Sequence, residues 1–214
     1  RLAERARQAA RLSEVALATT TLPEDAELCA FADRLGLRSF RGSPDNVSLR
    51  MAQAAESLNA DAVVELLADN PLIPADMVDA TVALLEAGAD YAATVSKEYP
   101  DESHRRLFPV GVRVQAYTRA AAQAWKDFPA FLNGPLGTTA FMFKHPQRFK
   151  LAFVEAAGPW ENCAEKDWTF AVNYPRNFDL SEKVFSALGG SAGLPEICAW
   201  MRAHPEHLPL MEQR

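Results

Sequence analysis

Residues 62–95 read AVVELLADNPLIPADMVDATVALLEAGADYAATV. Residues 62–68 form a short apolar run of strand length, closed by Asp69, Asn70 and Pro71. Residues 75–87 place their apolar side chains at helical spacing and stop at Gly88, and residues 90–95 return to a strand pattern. A strand, a helix and a strand over so short a span form a parallel crossover unit. The same rhythm holds upstream. Residues 14–20 (EVALATT) read as a buried strand. Pro23 then opens a helix with Glu24, Asp25 and Glu27 in its first turn, an apolar stripe of Leu28, Phe31, Ala32 and Leu35, and Gly36 as its end. Residues 37–41 are a second strand and 44–58 a second helix. The chain therefore predicts an α/β domain built on a mostly parallel sheet flanked by helices, and ligands of such sheets bind at the carboxyl ends of the strands. Asp69 stands at one of those ends.

Downstream the pattern loosens. Residues 96–106 are polar and read as a loop, and 108–117 (FPVGVRVQAY) alternate like an exposed or half-buried strand. A helix over 119–125 and a Pro- and Gly-punctuated stretch to Gly137 come next. Residues 149–155 are a strand candidate, 156–166 a loop, and 169–172 a short strand ending at Asn173. Residues 177–188 are helical, GGSAG at 189–193 reads as a flexible joint, and 195–202 form a last amphipathic helix before the tail HPEHLPLMEQR. Two parts are expected: a main domain over 1–188, and a joint with a terminal helix and tail over 189–214.

The 214 residues carry a formal net charge of -6, with 49% hydrophobic and 23% charged residues. That is the composition of a folded globular chain, and the acidic balance argues against a nucleic-acid partner. The three cysteines, Cys29, Cys163 and Cys198, show no metal-ligand or redox spacing and read as buried, reduced thiols. No apolar run reaches the length of a membrane span, so a cytoplasmic protein with no membrane partner is expected.

Walker A, GxGxxG, HExxH and GxSxG motifs are all absent from the sequence. His204 and His207 read as surface residues of the tail, and His145 as a helix-terminal side chain bonding the last carbonyls. What remains is a constellation at strand ends: Arg41 with Gly42 and Ser43, Asp69, and Asn173, with Arg105, Arg106 and Arg113 in the loop and strand that follow. Guanidinium groups make bidentate contacts to phosphate and carboxylate, and a strand-end Asp can hold a hard cation, so the set suits an anionic substrate.

These segments, taken in order, resemble the SpsF-type and acylneuraminate-type cytidylyltransferases. The first block is EVALATTTLPEDAELCAFADRLGLRSFRGSPDNVSLR (14–50), which is similar to a segment ending in the family pattern FRGSxDDVLxR. The second, VVELLADNPLIPADMVD (63–79), resembles VRITADCPLIDPELVD and places Asp69 on the family's metal-binding Asp. Weaker similarity continues through GVRVQAYTRAAAQAW (111–125), HPQRFKL (145–151), VNYPRNFDL (172–180) and PEICAWMRAHPEH (195–207).

The resemblance implies a Rossmann-like nucleotide-diphospho-sugar transferase fold that activates a sugar acid as its CMP ester. In that reaction an anomeric hydroxyl attacks the α-phosphorus of CTP and pyrophosphate leaves, and catalysis is chiefly positioning and charge neutralisation. Arg41 and Ser43 would then lie beside the nucleotide, Asp69 and the position of Asn173 would hold Mg²⁺, and Arg105, Arg106 or Arg113 would meet the sugar carboxylate. The same resemblance implies a homodimer, for which the half-exposed 108–117 strand offers a surface. Two departures are visible. The family opens with a strand and a loop of the type ARxGSxRLPGK, and nothing similar stands ahead of Leu2, so a segment of roughly 30 residues with the sheet's central strand is expected to precede residue 1. The family's VDTPED reads VNYPRN here, so Asn173, Arg176 and Asn177 stand where the family has acidic residues. A catalytically degenerate relative that binds a nucleotide or nucleotide-sugar, or serves as a partner subunit, is the alternative.

Overall fold

A computed structural model describes residues 1–97, 106–128 and 139–213. Arg105, among the expected substrate contacts, lies outside the described residues. After a short helix, α1 (Leu2–Ala6), strand β1 (Ala16–Thr20) leads through α2 (Ala26–Arg34) to β2 (Arg38–Gly42), and the two strands pair in parallel. Helix α3 (Val47–Ser57) follows, then β3 (Ala62–Leu66), α4 (Ala75–Glu86) and β4 (Tyr91–Thr94). The later elements are β5 (Val114–Thr118), α5 (Arg119–Gln123), α6 (Ala140–Phe143), β6 (Leu151–Val154), α7 (Pro175–Leu188) and α8 (Leu194–Ala203). A second sheet has the strand order β3-β5-β4-β6. In it β4 and β6 pair in parallel, while β5 runs against both β3 and β4.

Local chemistry explains most boundaries. Asn46 caps α3 by accepting the amide of Leu49 at 2.8 Å, and Gly36 (φ +65°) and Gly88 (φ +98°) turn the chain out of α2 and α4 in the left-handed region that favours glycine. Strand alternation divides the core between the two faces of the sheet. Val114 packs with Leu72, Ile73, Met77, Phe170 and Leu180, whereas Tyr91, Ala93 and Tyr117 pack with Phe141, Met142 and Phe149.

Several expectations are corrected. The strand expected to be exposed or half-buried is reduced to Val114–Thr118, and Val114, Gln115, Ala116 and Tyr117 are buried between β3 and β4. Its polar alternation is internal rather than solvent-facing, because the Gln115 side chain accepts the Tyr91 hydroxyl at 2.9 Å. This burial also removes the exposed strand on which the expected dimer surface rested. On α2 the stripe is covered only in part: Ala32 is buried, but Leu28 and Phe31 remain 43% and 48% exposed. Residues 169–172 form no strand, only a bridge from Thr169 to Val110. The stretch 189–193 is held rather than free, because buried Arg5 donates to the carbonyls of Gly190 and Ala192, both at 2.8 Å, and to that of Ile73 at 2.9 Å. Beyond it, Leu194, Ile197, Cys198 and Met201 enter the same core as Leu72 and Met77. Cys163 and Cys198 are buried as expected, with their thiols in contact, but Cys29 is only half-buried.

Candidate active site

The antiparallel register places two of the expected residues at one end of the sheet. Leu66, the last residue of β3, pairs with Val114, the first of β5, so the chain leaving β3 toward Asp69 and the chain entering β5 through Arg113 share that end. The amide of Asn70 donates to the carbonyl of Leu67 at 3.0 Å, and this turn sets Asp69 just beyond the strand. Arg113 is buried. The third element arrives through Gly111, whose φ of +90° lets the backbone of Phe170 and Ala171 approach so closely that an added Cβ would lie 2.1 Å from the Ala171 nitrogen. From there the amide of Val172 donates to the carbonyl of Asp69 at 2.7 Å, which brings Asn173 beside the same strand end.

Oδ1 of Asp69 is buried and has no hydrogen-bond partner among the described residues. Burial pushes the Asp69 carboxyl above the ordinary carboxylate range, and a hydrogen bond from its own backbone amide and, less, the Arg113 charge oppose the shift only in part. Buried polar atoms nearly always find partners, so an orphaned carboxylate oxygen at a strand end marks a place where a cation or a donor from a ligand fits. Asn173 differs. It is exposed, it is neutral, and its Nδ2 donates to Oε1 of Gln213 at 2.6 Å. An amide nitrogen cannot ligate a hard cation, so of the two Asp69 alone offers a charged oxygen and Asn173 at most one carbonyl oxygen, and no group of three or more His, Cys, Asp or Glu that could hold a metal stands among the described residues.

The other expected residues sit elsewhere. Arg41, at the end of β2, donates from Nε to the carbonyl of Thr20 at 2.9 Å and from Nη2 to that of Leu22 at 2.7 Å, holding the turn that follows β1. In that turn the hydroxyls of Thr20 and Thr19 hold the Asp25 carboxyl below its ordinary value. Ser43 Oγ accepts the Asn46 amide at 3.0 Å and so shapes the entry to α3. Arg106 donates to the carbonyl of Ala156 at 2.8 Å and pairs with Glu161, which commits it to the 156–161 segment. The structure thus unites Asp69, Arg113 and Asn173 and leaves Arg41 and Ser43 together at the end of the two-stranded sheet. His145 behaves as read, its Nδ1 meeting the carbonyl of Phe141 at 2.6 Å, whereas His204 and His207, expected at the surface, are half-buried because both rings stack with Trp200.

Sequence reasoning missed the participation of the tail. Asn177 at the start of α7 accepts the amides of Asn173 at 3.2 Å and Tyr174 at 2.9 Å, and donates from Nδ2 to the carbonyls of Leu210 at 2.8 Å and Glu212 at 3.2 Å. The signal was present in the residues: a side chain with both acceptor and donors stands where a carboxylate would only accept.

The solved structure of a cytidylyltransferase from Leptospira borgpetersenii superposes with a TM-score of 0.83 at 17% identity, covering 100% of this chain and 85% of that one, which shows the fold. The chain belongs to the cytidylyltransferase family, whose profile matches residues 1–128, more than half of its length. A 3-deoxy-manno-octulosonate cytidylyltransferase of an Anaeromyxobacter species is 32% identical over 105 residues, 48% of this chain and 41% of that protein. An uncharacterized protein of Methanocaldococcus jannaschii is 27% identical over 156 residues, 72% of this chain and 59% of that protein. The chain therefore spans less than two thirds of either curated relative. Among the described residues no helix is long and apolar enough to cross a membrane.

Proposed function

We propose that this chain activates a sugar acid as its CMP ester, taking the cytidylyl group from CTP and releasing pyrophosphate. The observation that carries the reading is the buried, unpartnered Oδ1 of Asp69 at the end of β3, with Arg113 beside it. Similarity to a cytidylyltransferase whose name gives a sugar acid as its acceptor supports the substrate class.

In this reaction the anomeric hydroxyl oxygen bonds to the α-phosphorus, the bond from that phosphorus to the bridging oxygen breaks, and the hydroxyl proton is lost. Mg²⁺, when bound, neutralises charge on the phosphates. Asp69 would hold it through the orphaned oxygen, with the triphosphate supplying further anionic oxygens and the Asn173 carbonyl the weaker protein contact. Arg113 places a fixed positive charge at the same strand end, suited to the carboxylate of the acceptor or to a phosphate. Arg41 and Ser43 shape the nucleotide side through the turns after β1 and β2, and Arg105 and Arg106 remain candidates for the acceptor carboxylate. A homodimer belongs to the same reading, and light scattering that returns the mass of one chain at micromolar concentration removes it.

The test is CTP- and sugar-acid-dependent release of pyrophosphate, followed with and without Mg²⁺. Release that needs all three is expected. A second reading is favoured by the bond between Asn173 and Gln213, which occupies the position where the family resemblance places an acidic ligand. In it the protein binds the nucleotide or nucleotide-sugar without turning it over, and CTP binding with no pyrophosphate release selects it.

A further inference from the structure

The C-terminal tail crosses the candidate site. Residues 205–211 form a 3-10 turn whose Met211 is buried in the main core, and the chain then runs along the start of α7. The three residues that stand in place of the acidic ones of VDTPED all meet that tail. Asn173 donates to Gln213 at 2.6 Å, Arg176 faces Glu212 at 3.4 Å, and Asn177 donates to the carbonyls of Leu210 and Glu212 while its Oδ1 receives Gln213 Nε2 at 3.2 Å. Asn177 is buried.

We infer that residues 205–213 are a strap that positions the Asp69 end of the site, with Asn177 as its latch. The inference rests on the reading of that strand end as the active site. The connection is short: Asn177 Oδ1 holds the amides of Asn173 and Tyr174, and the neighbouring Val172 amide is bonded to the carbonyl of Asp69 at 2.7 Å. Asn177 is thus a hub between the tail and the backbone that fixes Asp69. Its amide chemistry is essential to that role. A carboxylate at this place would still accept the amides of 173 and 174 and cap the helix, but its second oxygen would face two carbonyl oxygens and repel the tail. The Arg176–Glu212 pair is exposed and contributes little beyond alignment.

Asn177→Asp separates capping from latching, and hydrogen exchange on the ligand-free protein reads both. Exchange at 205–213 and at the Val172 amide should rise about tenfold or more, in line with the loss of one or two net hydrogen bonds, while the α7 amides from Leu180 onward stay protected. Gln213→Ala, which removes the bond to Asn173 and one bond to Asn177, should shift the same amides less and serves if Asn177→Asp does not fold. Calorimetric titration of CTP with Mg²⁺ should show weaker binding in whichever variant frees the tail. Unchanged exchange at 205–213 overturns the latch. A freed tail with unchanged Val172 exchange, or with unchanged CTP affinity, overturns the positioning role. A parent protein that binds no CTP overturns the proposed function instead, and the exchange measurements still decide the strap.

Discussion

The backbone amide of Val172 meets the carbonyl oxygen of Asp69 at 2.7 Å, across a gap of more than a hundred residues of chain. Through that one bond the turn ahead of α7 and the end of β3 become a single unit, and the carboxylate of Asp69 acquires a defined place at the sheet end.

That place is unfavourable for the empty protein. Burial raises the Asp69 carboxyl, and its own backbone amide and the Arg113 charge only partly offset it, so the folded chain holds the proton more tightly than the unfolded one. The stability tied to this proton is complete below the ordinary carboxylate range and is lost as pH rises through the raised value. At neutral pH, Asp69→Asn should therefore raise the melting temperature of the ligand-free protein by about 2 °C while weakening Mg²⁺-dependent CTP binding. An unchanged or lower melting temperature in calorimetry contradicts this.

Asn173→Asp adds a second charged oxygen near Asp69 and removes the donor to Gln213. The expected outcome is half-maximal pyrophosphate release at a lower Mg²⁺ concentration, with a higher rate at saturation. Equal Mg²⁺ dependence in the two proteins places residue 173 away from the cation.

Arg41 spends Nε and Nη2 on the carbonyls of Thr20 and Leu22, while its Nη1 makes no hydrogen bond among the described residues. If this guanidinium borders the nucleotide, Arg41→Ala should weaken CTP binding by about 1–3 kcal/mol. Calorimetry that returns the parent affinity removes it from the nucleotide site.

Gly111 combines a φ of +90° with backbone 2.1 Å from an added Cβ. Gly111→Ala should destabilise the protein by roughly 3 kcal/mol, since neither the strained backbone nor the Phe170–Ala171 backbone can yield cheaply. Denaturant unfolding within about 1 kcal/mol of the parent would show that the 168–172 segment can move away.

Arg5→Met replaces the guanidinium of a buried arginine that bonds the carbonyls of Leu72, Ile73, Gly190 and Ala192. The loss should be about 3–5 kcal/mol, because the carbonyls stay buried after their donor is gone. Urea unfolding at the parent midpoint would mean that water reaches them.

The sequence by itself determined the α/β rhythm from residue 14 to residue 95, because each signal there is local: the closure of α2 at Gly36 and of α4 at Gly88, and the placing of Asp69 just past an apolar strand. The three substitutions at 173, 176 and 177 were equally visible, but what they are for was not. Tertiary structure alone decided that β5 is inserted antiparallel and buried, because a polar alternation reads the same whether its partners are water or the hydroxyl of Tyr91. Likewise, only the folded chain pairs Arg5 with Ala192 and Asn177 with Leu210. Those contacts join residues far apart in the chain, and no local propensity or spacing encodes which distant carbonyl a donor will find.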